Sequence, residues 1–341
     1  MEFKSARPAK PKASGTSYWI VPPGESKKVR YRRMSRFISI IEDSSNLVNR
    51  DLRYAGYGIA TDERLASQIR DLEIENPDHK YNIQQVVERA ARRAGKWLKA
   101  DYGTALHAVT EDFDAGYNVF TDTPPSTPSV SELAWGPKEA LTEYWSSIRA
   151  DARAYAALID AYDITYTSIE ATVVLDKYQV AGTLDRLGSI GKPRNMPMIE
   201  GSAIGDVKTG NLDFGRLKMP MQFKGYADSV LYDHEQKTRT PHGANPDWAF
   251  VIHVPMGEGR AMLVPLQLEQ AAKNLERCHE IWAARKEDDI NDWIPFGIDD
   301  WLTERIPSMK SEAELSALYH ATRGMWNDSH VELARQKAKE F

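Results

Sequence analysis

The alternation of apolar and polar residues changes character about halfway along the chain. Up to residue 165, apolar residues recur every three or four positions, which is typical of helices with one buried face. This spacing predicts helices at about 45–55, 62–73, 83–100, 103–116 and 131–162. The last of these contains Gly136-Pro137, a pair that predicts an interruption. The first half of the chain is therefore expected to be mainly helical.

From residue 166 onward the pattern favours strands. Three β-rich segments separated by short turns predict a meander of Tyr166–Asp176, Gln179–Ile190 and Met198–Lys208. The elements predicted after the meander are a helix at 214–234, strands at Trp248–Pro255 and Arg260–Leu266, and a helix at 267–286. A capping-box pattern starting at Ser311 predicts a helical hairpin over 311–341. This order indicates the α/β (α+β) class, with a mixed β-sheet core flanked by helices.

Four segments follow from this organisation. Residues 1–16 are rich in Pro, Ala and Lys and are expected to form a flexible tail. Residues 17–100 form a mainly helical N-terminal region, and residues 101–290 contain the predicted sheet. Residues 291–341 are expected to be a helical C-terminal extension.

The amino-acid composition limits which cellular compartment and which kinds of metal centre are expected for this chain. The single cysteine, Cys278, allows neither an intramolecular disulfide nor a cysteine-ligated zinc or iron–sulfur centre. The chain has no apolar run near the roughly 18 residues of a membrane helix, and its start lacks the apolar region of a signal peptide. We therefore expect a cytoplasmic protein that has no membrane partner.

Charge is distributed unevenly along the chain, whose net charge is −5. Residues 1–100 contain 20 Lys and Arg against 12 Asp and Glu, whereas residues 101–341 contain 24 against 37. Cations of the basic part are candidates for contacts with DNA phosphates. They are Lys27, Lys28, Arg30, Arg32 and Arg33 in one segment and Arg92, Arg93 and Lys96 in the predicted helix 83–100. A solvated basic surface explains the same residues equally well.

The candidate chemistry centres on Asp206-Val207-Lys208 at the end of a predicted strand. Residues two apart on a strand share a face, so the side chains of Asp206 and Lys208 project together. Asp185, from the preceding strand, supplies a second carboxylate. Carboxylate and carbonyl oxygens suit Mg²⁺, so both acids and the carbonyl of Val207 are candidate ligands. Lys208 is placed to orient or deprotonate an attacking water, or to neutralise developing charge.

Other candidate residues lie before and after this motif. His107 follows Gly103 by one helical turn, and Glu170 lies in the first strand of the meander. Gln222 and Tyr226 are four residues apart and share a helix face. Each of these residues alone has an ordinary explanation, such as a core histidine, a strand-end ion pair or an amphipathic helix.

Taken in order, these residues resemble the RecB-like branch of the PD-(D/E)XK nuclease superfamily. That branch includes nuclease domains of bacterial recombination complexes, CRISPR-associated RecB-like exonucleases and phage-encoded relatives. The resemblance covers about residues 100–235 and implies a restriction-endonuclease-like core. It assigns Asp185, Asp206 and Lys208 to catalysis and His107, Asp185 and Asp206 to metal binding, with Gln222, Tyr226 and Glu170 as supporting residues.

The resemblance implies a Mg²⁺- or Mn²⁺-dependent DNA exonuclease acting in recombination, repair or phage replication. Many relatives hold an iron–sulfur cluster with four cysteines, which this chain cannot supply. The chain has no P-loop sequence, so DNA unwinding would need a helicase, and a recombinase or single-strand-binding protein are the other suggested partners. Alternatives are a structure-specific endonuclease, a non-catalytic DNA-binding recombination protein on a nuclease fold, and an interaction protein with a chance match.

Overall fold

The computed structural model describes residues 13–192, 199–285 and 297–341. The first twelve residues of the predicted tail and the predicted boundary at residue 290 lie outside these ranges. The chain divides into two compact units, Met1–Ala284 and Arg285–Phe341. Both are described separately below.

The first unit contains strands and helices, numbered here in chain order. Its strands are β1 (Ala13–Ser14), β2 (Ser17–Ile20), β3 (Val29–Arg33), β4 (Ile164–Leu175), β5 (Val180–Ile190), β6 (Ser202–Lys208), β7 (Val230–Tyr232), β8 (Arg239–Thr240), β9 (Trp248–His253) and β10 (Met262–Gln267). Its helices are α1 (Met34–Ile38), α2 (Ser45–Ala60), α3 (Glu63–Arg70), α4 (Pro77–Arg93), α5 (Leu98–Asp114), α6 (Pro128–Ser131), α7 (Trp135–Glu143), α8 (Trp145–Tyr162), α9 (Lys218–Ala227) and α10 (Glu269–Ala284).

The strands form one mixed sheet in which β5 is central. One edge of β5 pairs antiparallel with β4 along nearly its whole length. The other edge is shared, because β3 pairs parallel with Val180 and Ala181, whereas β6 pairs antiparallel with Arg186–Ser189. Beyond β6, the sheet continues with β9 and β10. Between β3 and β6, no described strand pairs with residues 182–185 on this edge.

Helices cover both faces of this sheet. On one face, α5 and α8 pack against apolar side chains that include Val207 and Phe250. On the other face, α1, α9 and α10 pack against side chains that include Leu184 and Val251. The fold is therefore α/β (α+β) with a mixed sheet flanked by helices, and this prediction is confirmed.

The predicted helix at 83–100 is wrong at its end. Helix α4 ends at Arg93 and α5 begins at Leu98. Gly95 has a φ of +87° between them, a left-handed conformation that commonly terminates helices. Lys96 therefore lies outside the helix that carries Arg92 and Arg93.

The predicted interruption near Gly136-Pro137 is confirmed and lies at residues 132–134, just before this pair. Both residues lie in the first turn of α7, where the missing N–H of a proline costs no intrahelical hydrogen bond. The second division of the helical region, at Tyr144 between α7 and α8, is absent from the prediction.

The predicted helix at 214–234 is shorter than expected. Helix α9 spans Lys218–Ala227 only, and β7 follows it at Val230–Tyr232. Val230 and Leu231 pair with β4. The β-branched and aromatic residues of this segment favour a strand over a continued helix. The predicted tail also ends too late, since Ala13–Ser14 pair with β2. The three-strand meander is confirmed, as β4, β5 and β6.

The second unit contains helices α11 (Ile298–Arg305), α12 (Glu312–Thr322) and α13 (Asp328–Ala338). Helix α11 is missing from the prediction, whereas α12 and α13 confirm the two predicted helices. The hydroxyl of Ser311 accepts a hydrogen bond of 3.2 Å from the Glu314 amide, which is the expected cap. The buried core of this unit consists of Leu302, Ile306, Met309 and Leu315, and Leu333 and Ala334 of α13 pack against it. In the ranges that the structure describes, no helix has the length and apolar character that crossing a membrane requires.

Candidate metal centre

The sheet register brings the two predicted catalytic aspartates together. Arg186 of β5 pairs with Gly205 of β6, and pairing between these strands ends there. The next residues in the same register are Asp185 and Asp206, which therefore face each other where the two strands separate. Strand β9 pairs with the other edge of β6, at Asp206 through Lys208. The backbone of Asp206–Lys208 is therefore paired with β9 along one edge, whereas its pairing with β5 along the other edge has already ended.

Two glycines allow helices to approach this point closely. A Cβ atom at Gly103 of α5 would lie 2.8 Å from Oγ1 of Thr209, just after β6. A Cβ atom at Gly182 of β5 would lie 2.5 Å from the ring of Tyr226 in α9. Both distances are too short for a side chain, so these glycines bring α5 and α9 against the strand ends.

Helix α5 presents His107 to the aspartates. Its Nδ1 lies 3.3 Å from Oδ2 of Asp185, and both side chains are about one-quarter exposed, at 23%. One ligand atom from each of His107, Asp185 and Asp206 lies within 4.8 Å of the other two. Groups from a helix and two strands therefore converge on a volume of the size that a single cation occupies.

Asp206 has the surroundings of a metal ligand. It is only 3% exposed, and neither carboxylate oxygen has a hydrogen-bond partner of good geometry among the described residues. The Nζ of Lys208 contacts Oδ2. A buried carboxylate without hydrogen bonds is costly, and a cation would satisfy both oxygens. Two carboxylate oxygens with one imidazole nitrogen form a ligand set for a divalent cation but do not select one, because carboxylates suit Mg²⁺ and Mn²⁺ whereas imidazole also suits Zn²⁺ and Fe²⁺.

The two aspartates differ strongly in their affinity for a proton. Burial raises the pKa of Asp185 well above its usual value, and the charge of Asp206 raises it further. Burial also opposes ionisation of Asp206, but the Lys208 ammonium and, after it, the interaction with Asp185 lower its pKa to about 2. Without a cation, the simultaneous ionisation of both aspartates is therefore disfavoured, and a bound cation would favour the ionised form of both.

His107 and Lys208 have opposite charge states at neutral pH. Burial lowers the pKa of His107 to about 4, even though the charge of Asp206 raises it. The imidazole is therefore neutral, the form that binds metals. Burial favours neutral Lys208, but Asp206 and Asp185 outweigh this effect and raise its pKa above the usual value. Lys208 is thus an ammonium, suited to stabilising negative charge.

Two other predicted groups lie beside the three ligands. The backbone of Val207 lies near the His107 side chain and raises the pKa of its imidazole against the effect of burial. Glu170 lies opposite Asp185 across the β4–β5 pair, and its charge raises the pKa of Asp185. It does not belong to the three-residue ligand group. Glu170 has a φ of +52°, a strained conformation that costs about 1–3 kcal/mol and is common at functional sites.

This strained residue reverses the side-chain alternation of two strands. Ile169 and Ala171 are two apart on β4, yet they pack in the cores on opposite faces of the sheet. Likewise, Leu184 of β5 packs towards α9, whereas Arg186 points towards α5 and α8. Asp185 lies between them, at the reversal.

Gln222 and Tyr226 lie on the α9 side of the centre. The Gln222 amide donates a 3.2 Å hydrogen bond to the Tyr226 hydroxyl. Burial raises the pKa of Tyr226, with a smaller contribution from the charge of Asp185. The pair therefore adjoins the aspartates without contributing to the ligand group.

The candidate DNA contacts have unequal surroundings. Lys27, Lys28 and Arg30 are exposed, whereas Arg32 stacks over the ring of Trp282 at 3.7 Å. The cations near α4 contact acids: Arg92 with Asp101, Arg93 with Asp62, and Lys96 with Asp51 and Glu88. A phosphate at α4 would have to compete with these carboxylates.

A buried arginine network beside the centre is absent from the sequence prediction. Arg186 is fully buried, and its Nε donates to Oδ2 of Asp114 at 2.7 Å. It also donates to the hydroxyls of Tyr155, at 3.1 Å, and Thr110, at 2.9 Å. Thr110 and Asp114 follow His107 on α5 at intervals of three and seven residues, which is one helix face. Arg186 therefore fixes the helix that carries His107 to the strand that carries Asp185. The only sequence signal is a charged residue within an apolar strand.

Comparisons with known proteins add nothing to this geometry. The chain matches neither a family model nor any curated protein.

The charge state of Asp185 predicts how metal-free stability depends on pH. Its pKa is raised on folding, so the folded protein binds this proton more tightly, and stability falls as pH rises above about 4. Asp185→Asn removes this loss, by about 1.4 kcal/mol per pKa unit. Urea unfolding in EDTA should show the variant gaining stability over the parent at pH 8 but not at pH 4. An equal difference at both pH values would contradict the assignment.

Proposed function

We propose that this protein is a Mg²⁺- or Mn²⁺-dependent deoxyribonuclease, acting as an exonuclease on DNA in recombination, repair or phage replication. The observation that carries the proposal is the convergence of His107, Asp185 and Asp206 within 4.8 Å, with the Lys208 ammonium against Asp206. The mixed sheet flanked by helices is compatible with the restriction-endonuclease-like core of the RecB-like branch.

In this proposal, each residue has a defined task. His107, Asp185 and Asp206 hold the cation, and the Val207 carbonyl lies beside it. A bound divalent cation would offset charge on the scissile phosphate and activate a water molecule. Lys208, protonated at neutral pH, stabilises the negative charge that develops on the phosphate. Its raised pKa favours this role over that of a base.

The neighbouring residues support the site. Gln222 and Tyr226 present a hydrogen-bonded amide and hydroxyl beside the aspartates, where they would position the DNA strand. Glu170 adds negative charge near Asp185 and supports the site indirectly. Iron–sulfur chemistry has no part in the proposal, because one cysteine cannot hold a cluster. A helicase, recombinase or single-strand-binding protein would supply unwound or processed DNA.

Digestion of defined DNA substrates tests the proposal. The purified protein is incubated with end-labelled linear DNA and with covalently closed circles, in Mg²⁺, Mn²⁺ or EDTA. We expect degradation of linear DNA with either cation, none in EDTA, and intact closed circles. Cutting of the circles would establish an endonuclease instead. Absence of cation-dependent cleavage on every substrate would overturn the nuclease assignment.

A further inference from the structure

The edge of β5 between β3 and β6 carries a row of side chains on one face. Arg33, the last residue of β3, pairs with Ala181 of β5, and paired residues point to the same face. Thr183 and Asp185 follow Ala181 at intervals of two, about 6.6 Å each. Arg33, Thr183 and Asp185 therefore form a line that ends at the metal centre, along an edge with no strand partner among the described residues.

Arg33 is held in place by an aromatic ring. Its guanidinium lies over Tyr18, 5.2 Å from the ring centroid. The Tyr18 hydroxyl in turn hydrogen-bonds Oγ1 of Thr183 at 3.1 Å. The backbone of Arg33 donates to the carbonyl of Thr16 at 2.9 Å. Both the backbone and the side chain of this arginine are therefore oriented before any ligand arrives.

The charge of Arg33 has no acidic counterpart in the described parts of the chain. Its Nε is buried and lacks a hydrogen-bond partner there. Two other arginines with mostly buried side chains in the first unit differ, since Arg239 binds Asp176 and Arg186 binds Asp114. Burying an unpaired donor costs free energy, and a pre-oriented guanidinium is well suited to binding a phosphate through two hydrogen bonds.

The metal centre would neutralise the phosphate that is cut but not the phosphates next to it. A bound divalent cation would balance the charges of Asp185 and Asp206, and the Lys208 ammonium lies against Asp206. The neighbouring phosphates of a DNA strand that crosses the centre need cations of their own. Arg33 supplies one, about 13 Å from Asp185 along β5, at four residues of about 3.3 Å each. This distance corresponds to a few nucleotides of a DNA strand.

We propose that Arg33 binds a phosphate group of the scissile DNA strand, a few nucleotides from the phosphate that is cut. Thr183 and the Tyr18 hydroxyl line the path between this phosphate and the metal centre. The inference rests on the proposed nuclease function. It predicts that the DNA strand crosses the sheet along the free edge of β5.

The test compares Arg33→Gln with Arg153→Gln. Arg153 is an exposed arginine of α8 and is not among the candidate DNA contacts. Binding of a fluorescein-labelled single-stranded oligothymidylate is measured by anisotropy in EDTA over a series of salt concentrations. For R33Q we expect Kd to rise about tenfold, and the slope of log Kd against log salt to fall by about one, as for one lost phosphate contact. For R153Q we expect changes of less than about twofold and an unchanged slope.

Further measurements separate a lost phosphate contact from a damaged fold. R33Q should keep the parental rise in melting temperature with Mn²⁺, because Arg33 is not a metal ligand. Arg33→Lys should retain the salt slope but bind more weakly than the parent, because an ammonium keeps the charge and loses the paired hydrogen bonds. In the cleavage assay, R33Q should raise KM more than it lowers kcat, because the contact lies away from the reacting phosphate.

The outcomes distinguish this inference from the nuclease proposal. If the parent binds and cleaves DNA but R33Q and R153Q have the same affinity and salt slope, only the role of Arg33 is overturned. Loss of the Mn²⁺ effect in R33Q would also overturn it, since Arg33 would then support the metal centre. A parent that neither binds nor cleaves DNA would overturn both proposals.

Discussion

Asp206→Asn is expected to reduce Mg²⁺-dependent DNA cleavage by at least about 10³-fold, or about 4 kcal/mol of transition-state stabilisation. Asparagine preserves the size of the buried side chain but removes the charge that holds a cation. Lys208→Ala should lower the rate by about 10²–10³-fold, because it removes one pre-oriented group that stabilises developing charge. Initial rates on end-labelled linear DNA measure both effects.

Metal binding separates the two variants. Mn²⁺ should raise the melting temperature of the parent and of K208A, because both keep the three ligands, but not that of D206N. Asp228→Asn, which removes a surface carboxylate paired with Lys224, serves as the control and should retain full activity. Parental cleavage rates in both D206N and K208A would exclude this centre as the site of hydrolysis.

The second large effect concerns Arg186. Arg186→Met should lower the free energy of unfolding by about 3–5 kcal/mol, because breaking a buried ion pair leaves the other charge without compensation. Asp114 is the stranded partner, with a side chain only 1% exposed. Burial already raises its pKa, although the charge of Arg186 lowers it. Urea unfolding at neutral pH in EDTA measures the loss.

A double substitution shows whether the stranded charge is the cause. Asp114→Asn combined with R186M should recover part of the stability, because a neutral amide costs less to bury than a carboxylate. Arg64→Met, at an exposed position of α3, should change stability by less than about 0.5 kcal/mol. An R186M variant as stable as R64M would show that the buried pair contributes nothing.

Local sequence patterns predict much of this centre. The meander is readable because strand residues alternate and short turns separate them, and Asp206 and Lys208 share a face by spacing alone. The sequence predicts Asp185 on the strand before Asp206. The antiparallel register of β5 and β6 brings the two residues opposite each other. The sequence indicates His107 because this residue follows Gly103 by one helical turn. In the structure, α5 approaches Thr209 at that glycine.

Other features depend on contacts between distant parts of the chain. Arg186 lies 72 residues from Asp114, and nothing near either residue indicates the pairing. Arg33 was one of five cations in a basic segment, and only the parallel pairing with Ala181 separates it from Arg30. The salt bridges of Arg92 and Arg93 are equally invisible, since the partner acids lie on other elements. In α7, the sequence predicts the interruption near Pro137 but does not show that this proline lies in the first turn of the next helix.

The reversal of alternation at Glu170 limits how the β4–β5 hairpin can change in length. Side chains alternate with a period of two, so one residue added or removed beside the reversal would exchange the faces of its neighbours. A deletion in β5 next to Asp185 would turn the acid towards the buried position of Arg186 and turn the arginine out of its network. Substitutions in this hairpin change one side chain at a time, whereas a single insertion or deletion changes the ligand and the ion pair together. In related sequences, natural variation in the length of this hairpin should therefore be confined to the turn between β4 and β5. The number of residues from Glu170 to the end of β4, and from the start of β5 to Asp185, should be constant.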